Sequence, residues 1–325
     1  GSIISTITVK MVVDRDIAVR RYVMTELVQD ILRLKKERNA IILAHVYQNA
    51  EIQAIADYTG DSLELAKRAA ENDAAVIVFC GVRFMAETAN ILSPEKIVLL
   101  PEESAGCPMA DMVDVGALQA KLAENPDLFV VAYVNTSAAV KALTDVCCTS
   151  ANAINVIKSI PVDKKILFVP DKNLGSYIME KTNREMELWQ GYCPIHNDIL
   201  VSDVLAAKKL HPEALVLAHP ECDKKVLQYA DYIDGTVSLI KYAKDSTNTE
   251  FIVVTEAGVL YQLETQCPDK KFYMVKDNLC CVDMKGITLA KVKTALETLE
   301  PKVIVPEEIR IKALASLKKM LEIKR

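Results

Sequence analysis

The pattern that most limits what this chain can become is one it states three times. The segments "ILAHVYQ", "VVAYVNT" and "VLAHPEC" align on His45, Tyr133 and His219, which stand 88 and then 86 residues apart. The segments that follow, "ADYTGDSLELAKRA", "TDVCCTSANAINVI" and "ADYIDGTVSLIKYA", align on Asp57, Asp145 and Asp231 at the same separations. Each repeat continues through a strand and a helix, as in "VIVFCGVRFMAE", "ILFVPDKNLGSYIME" and "FIVVTEAGVLYQLE". Each ends on another strand and a cysteine, in "VLLPEESAGCPM", "MELWQGYCPIH" and "YMVKDNLCCVDM". A unit of this length is too long for a solenoid repeat. It suits three small domains of one design.

Inside each unit, short apolar runs alternate with amphipathic stretches. "AIILA", "AAVIVF", "KIVLL", "FVVA", "KILFV", "ALVLA", "FIVV" and "FYMV" are uninterrupted, as strands buried on both faces of a parallel sheet must be. "SLELAKRAAEN", "ANAINVIKSI" and "VSLIKYAK" have helical spacing. The rhythm is that of an α/β protein. The expected architecture is three similar small doubly wound three-layer αβα domains, arranged with pseudo-threefold symmetry around a central active site. The domains are drawn as 14–104 plus 283–325, 105–195, and 196–282. In this scheme "PKVIV" and the last helix, "EEIRIKALASLKKMLEI", return to complete the first domain.

Net charge is −5 over 325 residues and the pI is about 5.6. That balance argues against a nucleic-acid partner, which needs a basic face, but not against a small anion held by local donors. The run "IISTITVKMVV" is interrupted by Lys10, ended by Asp14, Arg15 and Asp16, and too short to span a bilayer. The leading Gly-Ser reads as an expression scar. A cytoplasmic chain without membrane contact is expected. In a reducing compartment its nine cysteines read as buried thiols, metal ligands or catalysts rather than disulfides.

Functional groups of parallel α/β sheets gather at the C-terminal ends of strands. The first strand end of each repeat offers His45 with Tyr47, Tyr133 with Asn135, and His219 with Glu221. The members of each pair are two residues apart, so they share a side. Of the four histidines, His45, His196 and His219 occupy motif positions, and His211 is given no role. Ser62, Ser150 and Thr236 are again 88 and 86 residues apart, just before or at helix starts. They read as three N-caps, or as hydroxyls that hold phosphate or carboxylate at helix termini. No GxGxxG or GxxxxGK[ST] motif is present, so nucleotide binding is not supported. Cys107, Cys193 and one of Cys280 and Cys281 would converge from three domains. Local C-x2-C spacing for structural zinc is absent. Three thiolates on a four-iron cluster would leave one iron open. Geometry alone leaves both metals in play. A zinc-stapled scaffold would need only the cysteines, and a sugar-phosphate or dicarboxylate sensor only the hydroxyls.

"ILAHVYQ", "GDSLELAKRA", "SAGCPMAD", "YVNTSA", "DVCCTSANA", "PDKNLG", "CPIH", "AHPEC" and "CVDMK", in this order from about Ile42 to Lys285, together resemble the quinolinate synthases. The resemblance implies three α/β domains around one site and one [4Fe-4S] cluster with three Cys ligands and one open iron. It implies condensation of iminoaspartate with dihydroxyacetone phosphate to quinolinate, with loss of phosphate and water, in de novo NAD biosynthesis. It also implies functional coupling to an aspartate-oxidising enzyme that supplies iminoaspartate. Carried over by motif, the cluster ligands are Cys107, Cys193 and Cys281. The catalytic residues are His45, Tyr47, His196, His219 and Glu221. The substrate residues are Ser62, Tyr133, Asn135, Ser150 and Thr236. The chain departs from the family at Val46, where Asn is common, and at Val282, where Pro is frequent. Val46 is expected to turn away from the His45/Tyr47 face. Cys280 is expected to be a mostly buried thiol packed on the following helix.

Overall fold

The computed structural model of the protein describes residues 24–324. The leading Gly-Ser, the apolar run over 3–13 and the first domain's expected start over 14–23 lie outside them.

Three units follow one another with the same order of elements. The first runs α1 over 24–37, β1 (Ala40–His45), α2 (Ala50–Ile55), β2 (Tyr58–Gly60), α3 (Ser62–Ala70), β3 (Val76–Cys80), α4 (Arg83–Leu92), β4 (Ile97–Leu99) and the single turn α5 (Pro108–Asp111). The second runs α6 (Val115–Glu124), β5 (Leu128–Tyr133), α7 (Ala138–Lys141), β6 (Val146–Cys148), α8 (Ala153–Ser159), β7 (Lys165–Val169), α9 (Lys172–Thr182), β8 (Glu187–Leu188) and α10 (Pro194–Asn197). The third runs α11 (Val201–Leu210), β9 (Leu215–Ala218), α12 (Lys224–Leu227), β10 (Tyr232–Ile233), α13 (Thr236–Asp245), β11 (Glu250–Val254), α14 (Leu260–Gln266), β12 (Lys271–Met274) and α15 (Val282–Lys285). Two helices close the chain, α16 (Leu289–Thr298) and α17 (Glu307–Glu322).

Each unit forms a four-stranded parallel sheet in one order: β2-β1-β3-β4, β6-β5-β7-β8 and β10-β9-β11-β12. The central strands are buried on both faces; all five residues of β3 are buried. In the third sheet Phe251 and Val253 enter one core cluster while Ile252 and Val254 enter another, the period-2 alternation of a strand. The repeated aspartates have a structural job. The Asp57 carboxylate accepts the Ile42 N–H at 2.7 Å, Asp145 that of Val130 at 2.7 Å, and Asp231 that of Val216 at 2.8 Å. Each aspartate's own N–H returns a bond to the carbonyl of the same residue. The short edge strand is thereby pinned to the first strand of its sheet.

In this strand order the chain switches direction between the first and third strands, and the crevice at that switch point is where open α/β sheets bind ligands. His45 closes β1, Tyr133 closes β5 and His219 follows β9 directly. The three repeat markers therefore sit at three equivalent switch points.

The end of the chain is shared between units. Segment 301–305 lies antiparallel beside β4, with a bridge between Leu99 and Lys302 and a Val303 N–H bond to Val98. α17 packs on α4 of the first unit and also on α7 and β6 of the second. Buried Ser316 donates to the Lys141 carbonyl at 3.1 Å, and Asn152 donates to the carbonyls of Met320 and Ile323. Among the described residues no helix is long and apolar enough to cross a membrane.

Candidate active site

The three units meet around one cavity of about 250 Å³. His45, Tyr47 and Ser62 reach it from the first unit. Tyr133, Asn135 and Ser150 reach it from the second, and His219, Glu221 and Thr236 from the third. Cys107, Cys193, His196 and Cys281 enter on the loops that end each unit. All thirteen candidate residues face one space. Among the described residues the lining has no lysine or arginine.

The cysteine loops are built alike. The residue that opens the first helical turn after the third strand donates its N–H to the carbonyl two residues before the cysteine: Arg83 to Ala105, Lys172 to Gly191, and Ala257, which begins a 3-10 turn (Ala257–Val259) ahead of α14, to Leu279. Cys107, Cys193 and Cys281 are then the N-caps of α5, α10 and α15. In this common register Cys281, and not Cys280, is the counterpart of Cys107 and Cys193. The three ligand candidates are half-buried toward the cavity. Burial pushes the Cys107 thiol up to about 12, Cys193 well above its ordinary value, and Cys281 upward as well. Cys280, expected inside, is exposed. Adjacent side chains do point apart, but the loop crosses the surface after a left-handed Asn278 (φ 63°), so the face opposite the cavity is solvent. Pro108 and Pro194 begin α5 and α10; at the same place in α15, Val282 is 78% exposed.

A chain of hydrogen bonds joins the candidates across units. Tyr47 Oη lies 3.1 Å from Thr255 Oγ1, which lies 2.8 Å from His196 Nε2. His196 Nδ1 is 2.9 Å from Glu221 Oε2 and 3.2 Å from Cys193 Sγ. Tyr133 donates its hydroxyl to Glu221 Oε1. Burial alone would raise the Glu221 carboxyl, but His219, His196 and the Tyr133 bond outweigh it and hold the group ionised, below the usual carboxylate range. Burial and the Glu221 charge push both Tyr47 and Tyr133 well above the ordinary phenol value.

His45 and His219 share one arrangement. Tyr47 N–H donates to His45 Nδ1 at 3.0 Å, and Glu221 N–H to His219 Nδ1 at 3.1 Å. An Nδ1 that accepts is unprotonated, so each neutral ring carries its proton on Nε2. Burial, reinforced by Lys285, lowers His45 to about 3; burial, against the pull of Glu221, lowers His219 to about 4. Both rings are neutral donors at pH 7.

The three repeated hydroxyls are not helix caps, contrary to the capping expectation. Asp61 caps α3 through the Glu64 N–H at 3.0 Å. α8 starts later, with Asn152 at its N-cap, and α13 has Gly235 at its N-cap, neither with a side-chain cap bond. Ser62, Ser150 and Thr236 make no hydrogen bond among the described residues and remain available to the cavity. Gly235 lets them close in, since a Cβ there would lie 2.9 Å from Ser150 Oγ.

Val46 turns away as expected. It is buried in the third unit's core with Leu217, Leu239 and Phe251.

The family model described as Quinolinate synthetase A protein matches residues 29–322. The chain belongs to the quinolinate synthase family. It is 54% identical over 296 residues to the quinolinate synthase of Desulforudis audaxviator, covering 91% of this chain and 98% of the relative. It is 50% identical to that of Thermodesulfovibrio yellowstonii, covering 90% and 97%. With that of Methanosarcina barkeri it shares 49%, covering 92% and 98%. Membership makes the protein an enzyme and its cavity the candidate active site.

The cysteines of this family member form a donor set suited to a soft metal group. Three thiols from three loops face one space, each at the N-cap of a single helical turn. A second set of donors, Cys193, His196 and Glu221, lies within 4.8 Å, but its imidazole and carboxylate are already bonded to each other and to Thr255 and Tyr133.

Sequence reasoning missed Thr255 and Glu256. Both follow β11, so the strand-end rule applied to the first strand of each repeat also covers them. Fully buried Glu256 accepts the Cys281 N–H at 3.1 Å, the Gly258 N–H at 2.7 Å and Lys285 Nζ at 3.0 Å. It fixes the third cysteine loop.

Proposed function

We propose that this enzyme is a cytoplasmic quinolinate synthase. It condenses iminoaspartate, received from an aspartate-oxidising enzyme, with dihydroxyacetone phosphate, and releases phosphate and water in de novo NAD biosynthesis. The observation that carries the reading is the meeting of three equivalent cysteine loops and one cross-unit proton network in one cavity. The reading keeps three αβα domains, 14–104 plus 283–325, 105–195 and 196–282.

Cys107, Cys193 and Cys281 would hold a [4Fe-4S] cluster. When bound, its fourth iron supplies a Lewis acid for a leaving hydroxyl.

The chain's own residues supply the rest. Both substrates are anionic, yet the lining offers neutral donors: the hydroxyls of Ser62, Ser150 and Thr236, the Nε2–H groups of His45 and His219, and the Asn135 amide. The α3 and α13 N-termini add their dipoles. Donors fixed by the fold hold an anion without reorganisation. Glu221 serves as base and acid: its carboxylate, held between His196 and Tyr133, takes a proton from the substrate carbon and gives that proton to the departing hydroxyl, which leaves as water. The high phenol values keep Tyr47 and Tyr133 protonated, so each acts by donating or by relaying.

The test is quinolinate formation under argon, with iminoaspartate generated in the assay. The expected result is turnover that requires both substrates and falls at least about a hundredfold in Glu221→Gln, the scale of one acid–base group. Absence of product from iron-replete protein would overturn the reading.

A further inference from the structure

Two buried side chains outside the cavity do the same thing in two different units. Gln53, on α2, donates from Nε2 to the Val46 carbonyl at 3.1 Å and the Gln48 carbonyl at 2.9 Å. Those carbonyls flank Tyr47. Lys141, on α7, donates from Nζ to the Val134 carbonyl at 2.7 Å and the Thr136 carbonyl at 2.5 Å. Those flank Asn135. Gln53 and Lys141 are 88 residues apart, as are Tyr47 and Asn135.

Packing does not explain the choice. Lys141 is 0% exposed, and an ammonium so placed is costly to desolvate; its compensation is the two carbonyls and the Phe84 ring, 5.5 Å away. The third unit shows what packing alone would select, because Leu227 stands at the equivalent position, 86 residues on. There the corresponding turn contains Pro220, whose ring fixes its own backbone. A polar clasp occurs in the two turns that lack a proline. Gln53 also donates to the Gly258 carbonyl at 3.2 Å, and a Cβ on Gly258 would lie 2.5 Å from Tyr47 Cα. The Tyr47 turn is therefore gripped between α2 and the third unit.

We propose that Gln53 and Lys141 are positioning residues for the reaction, each holding the backbone turn that presents Tyr47 or Asn135 to the cavity. The functional half of this inference rests on the quinolinate synthase reading; the structural half does not. In a network built this way, a residue that never touches substrate still sets where a reacting group lies.

The experiment compares Lys141→Met, Lys141→Gln and Gln53→Leu in anaerobically purified, iron-replete enzyme. Hydrogen exchange is read on peptides covering 46–49 and 133–137, alongside kcat and KM. Lys141→Met should speed exchange in 133–137 at least about tenfold, since the turn opens locally. It should lower kcat/KM by about tenfold or more, as small displacements of reacting groups do, with iron content unchanged. Lys141→Gln places at this site the donor that unit one already uses, and should recover both readings to within about threefold of wild type. Gln53→Leu should speed exchange in 46–49 and leave 133–137 unchanged, which keeps a second arm if Lys141→Met does not fold. The proposal is overturned by unchanged exchange, by faster exchange with wild-type kcat/KM, or by Lys141→Gln performing no better than Lys141→Met. A wild-type enzyme that makes no quinolinate would defeat the functional reading and, with it, the functional half; the exchange readings would still decide the clasp.

Discussion

Thr255→Val probes the joint on which the cross-unit network turns. Thr255 is fully buried, and valine has its shape without its hydroxyl, so no cavity opens. Two groups lose a partner, His196 Nε2 at 2.8 Å and Tyr47 Oη at 3.1 Å. The direction of these bonds follows from one fact: the Glu221 carboxylate can only accept. A singly protonated His196 ring therefore presents Nδ1–H to Glu221, its Nε2 accepts from Thr255, and the Thr255 oxygen accepts from Tyr47. A buried group left without its hydrogen bond costs about 1–3 kcal/mol. His196 is 1% exposed and bears that in full, whereas half-buried Tyr47 can turn to water in the cavity. The expected loss of stability is about 2 kcal/mol, measured by urea unfolding. Activity should fall further than stability. A loosened imidazole and phenol lose the orientation proton transfer needs, which can cost about a hundredfold in kcat. Thr255→Ser keeps the hydroxyl and should retain kcat within about threefold. A Thr255→Val enzyme with wild-type kcat, or a Thr255→Ser enzyme as slow as Thr255→Val, would refute the reasoning.

His45 gives a pH signature. Its ordinary value of 6.5 is lowered to about 3 in the folded chain, so as pH falls below 6.5 the unfolded chain binds a proton that the folded chain refuses. Stability is lost progressively from there, levelling off near pH 3, and amounts to about 2 kcal/mol between pH 7.5 and 5. His45→Asn should reduce the acid-side loss in urea unfolding by that amount; an unaltered pH curve would rule the cause out. Ser150→Ala and Thr236→Ala should each weaken dihydroxyacetone phosphate by roughly one to two decades, the value of a hydrogen bond to a charged group. Neither hydroxyl caps a helix, so neither variant should lose the roughly 1 kcal/mol of a lost cap. Normal ligand affinity with a lowered melting point would reverse that assignment.

How much of this was legible in the sequence depended on length and on adjacency. The eight long apolar runs became the eight central or outer strands that they promised. β2, β6 and β10 have two or three residues each, too few for any periodicity, and were carried instead by the aspartates that pin them. The repeat brought the candidate residues to one cavity because strand ends of one topology share one switch point. It misjudged the hydroxyls, because helix starts differ between units: Asp61 caps α3, while α8 begins three residues after Ser150. It misplaced Cys280 by treating the surface loop as a strand over a core. Thr255, Glu256, Gln53 and Lys141 act on residues far away in the chain, and nothing in their local spacing shows that.

The central claim is that three loops from three units hold one cluster, with Cys281 and not Cys280 as the third ligand. Iron and sulfide analysis of protein purified without oxygen tests it most directly, run on wild type, Cys280→Ala and Cys281→Ala side by side. The account predicts about four irons and four sulfides per chain in wild type and in Cys280→Ala, and loss of the cluster with loss of quinolinate formation in Cys281→Ala. Colourless, zinc-loaded and fully active wild-type protein, or a cluster that survives Cys281→Ala but not Cys280→Ala, would contradict it.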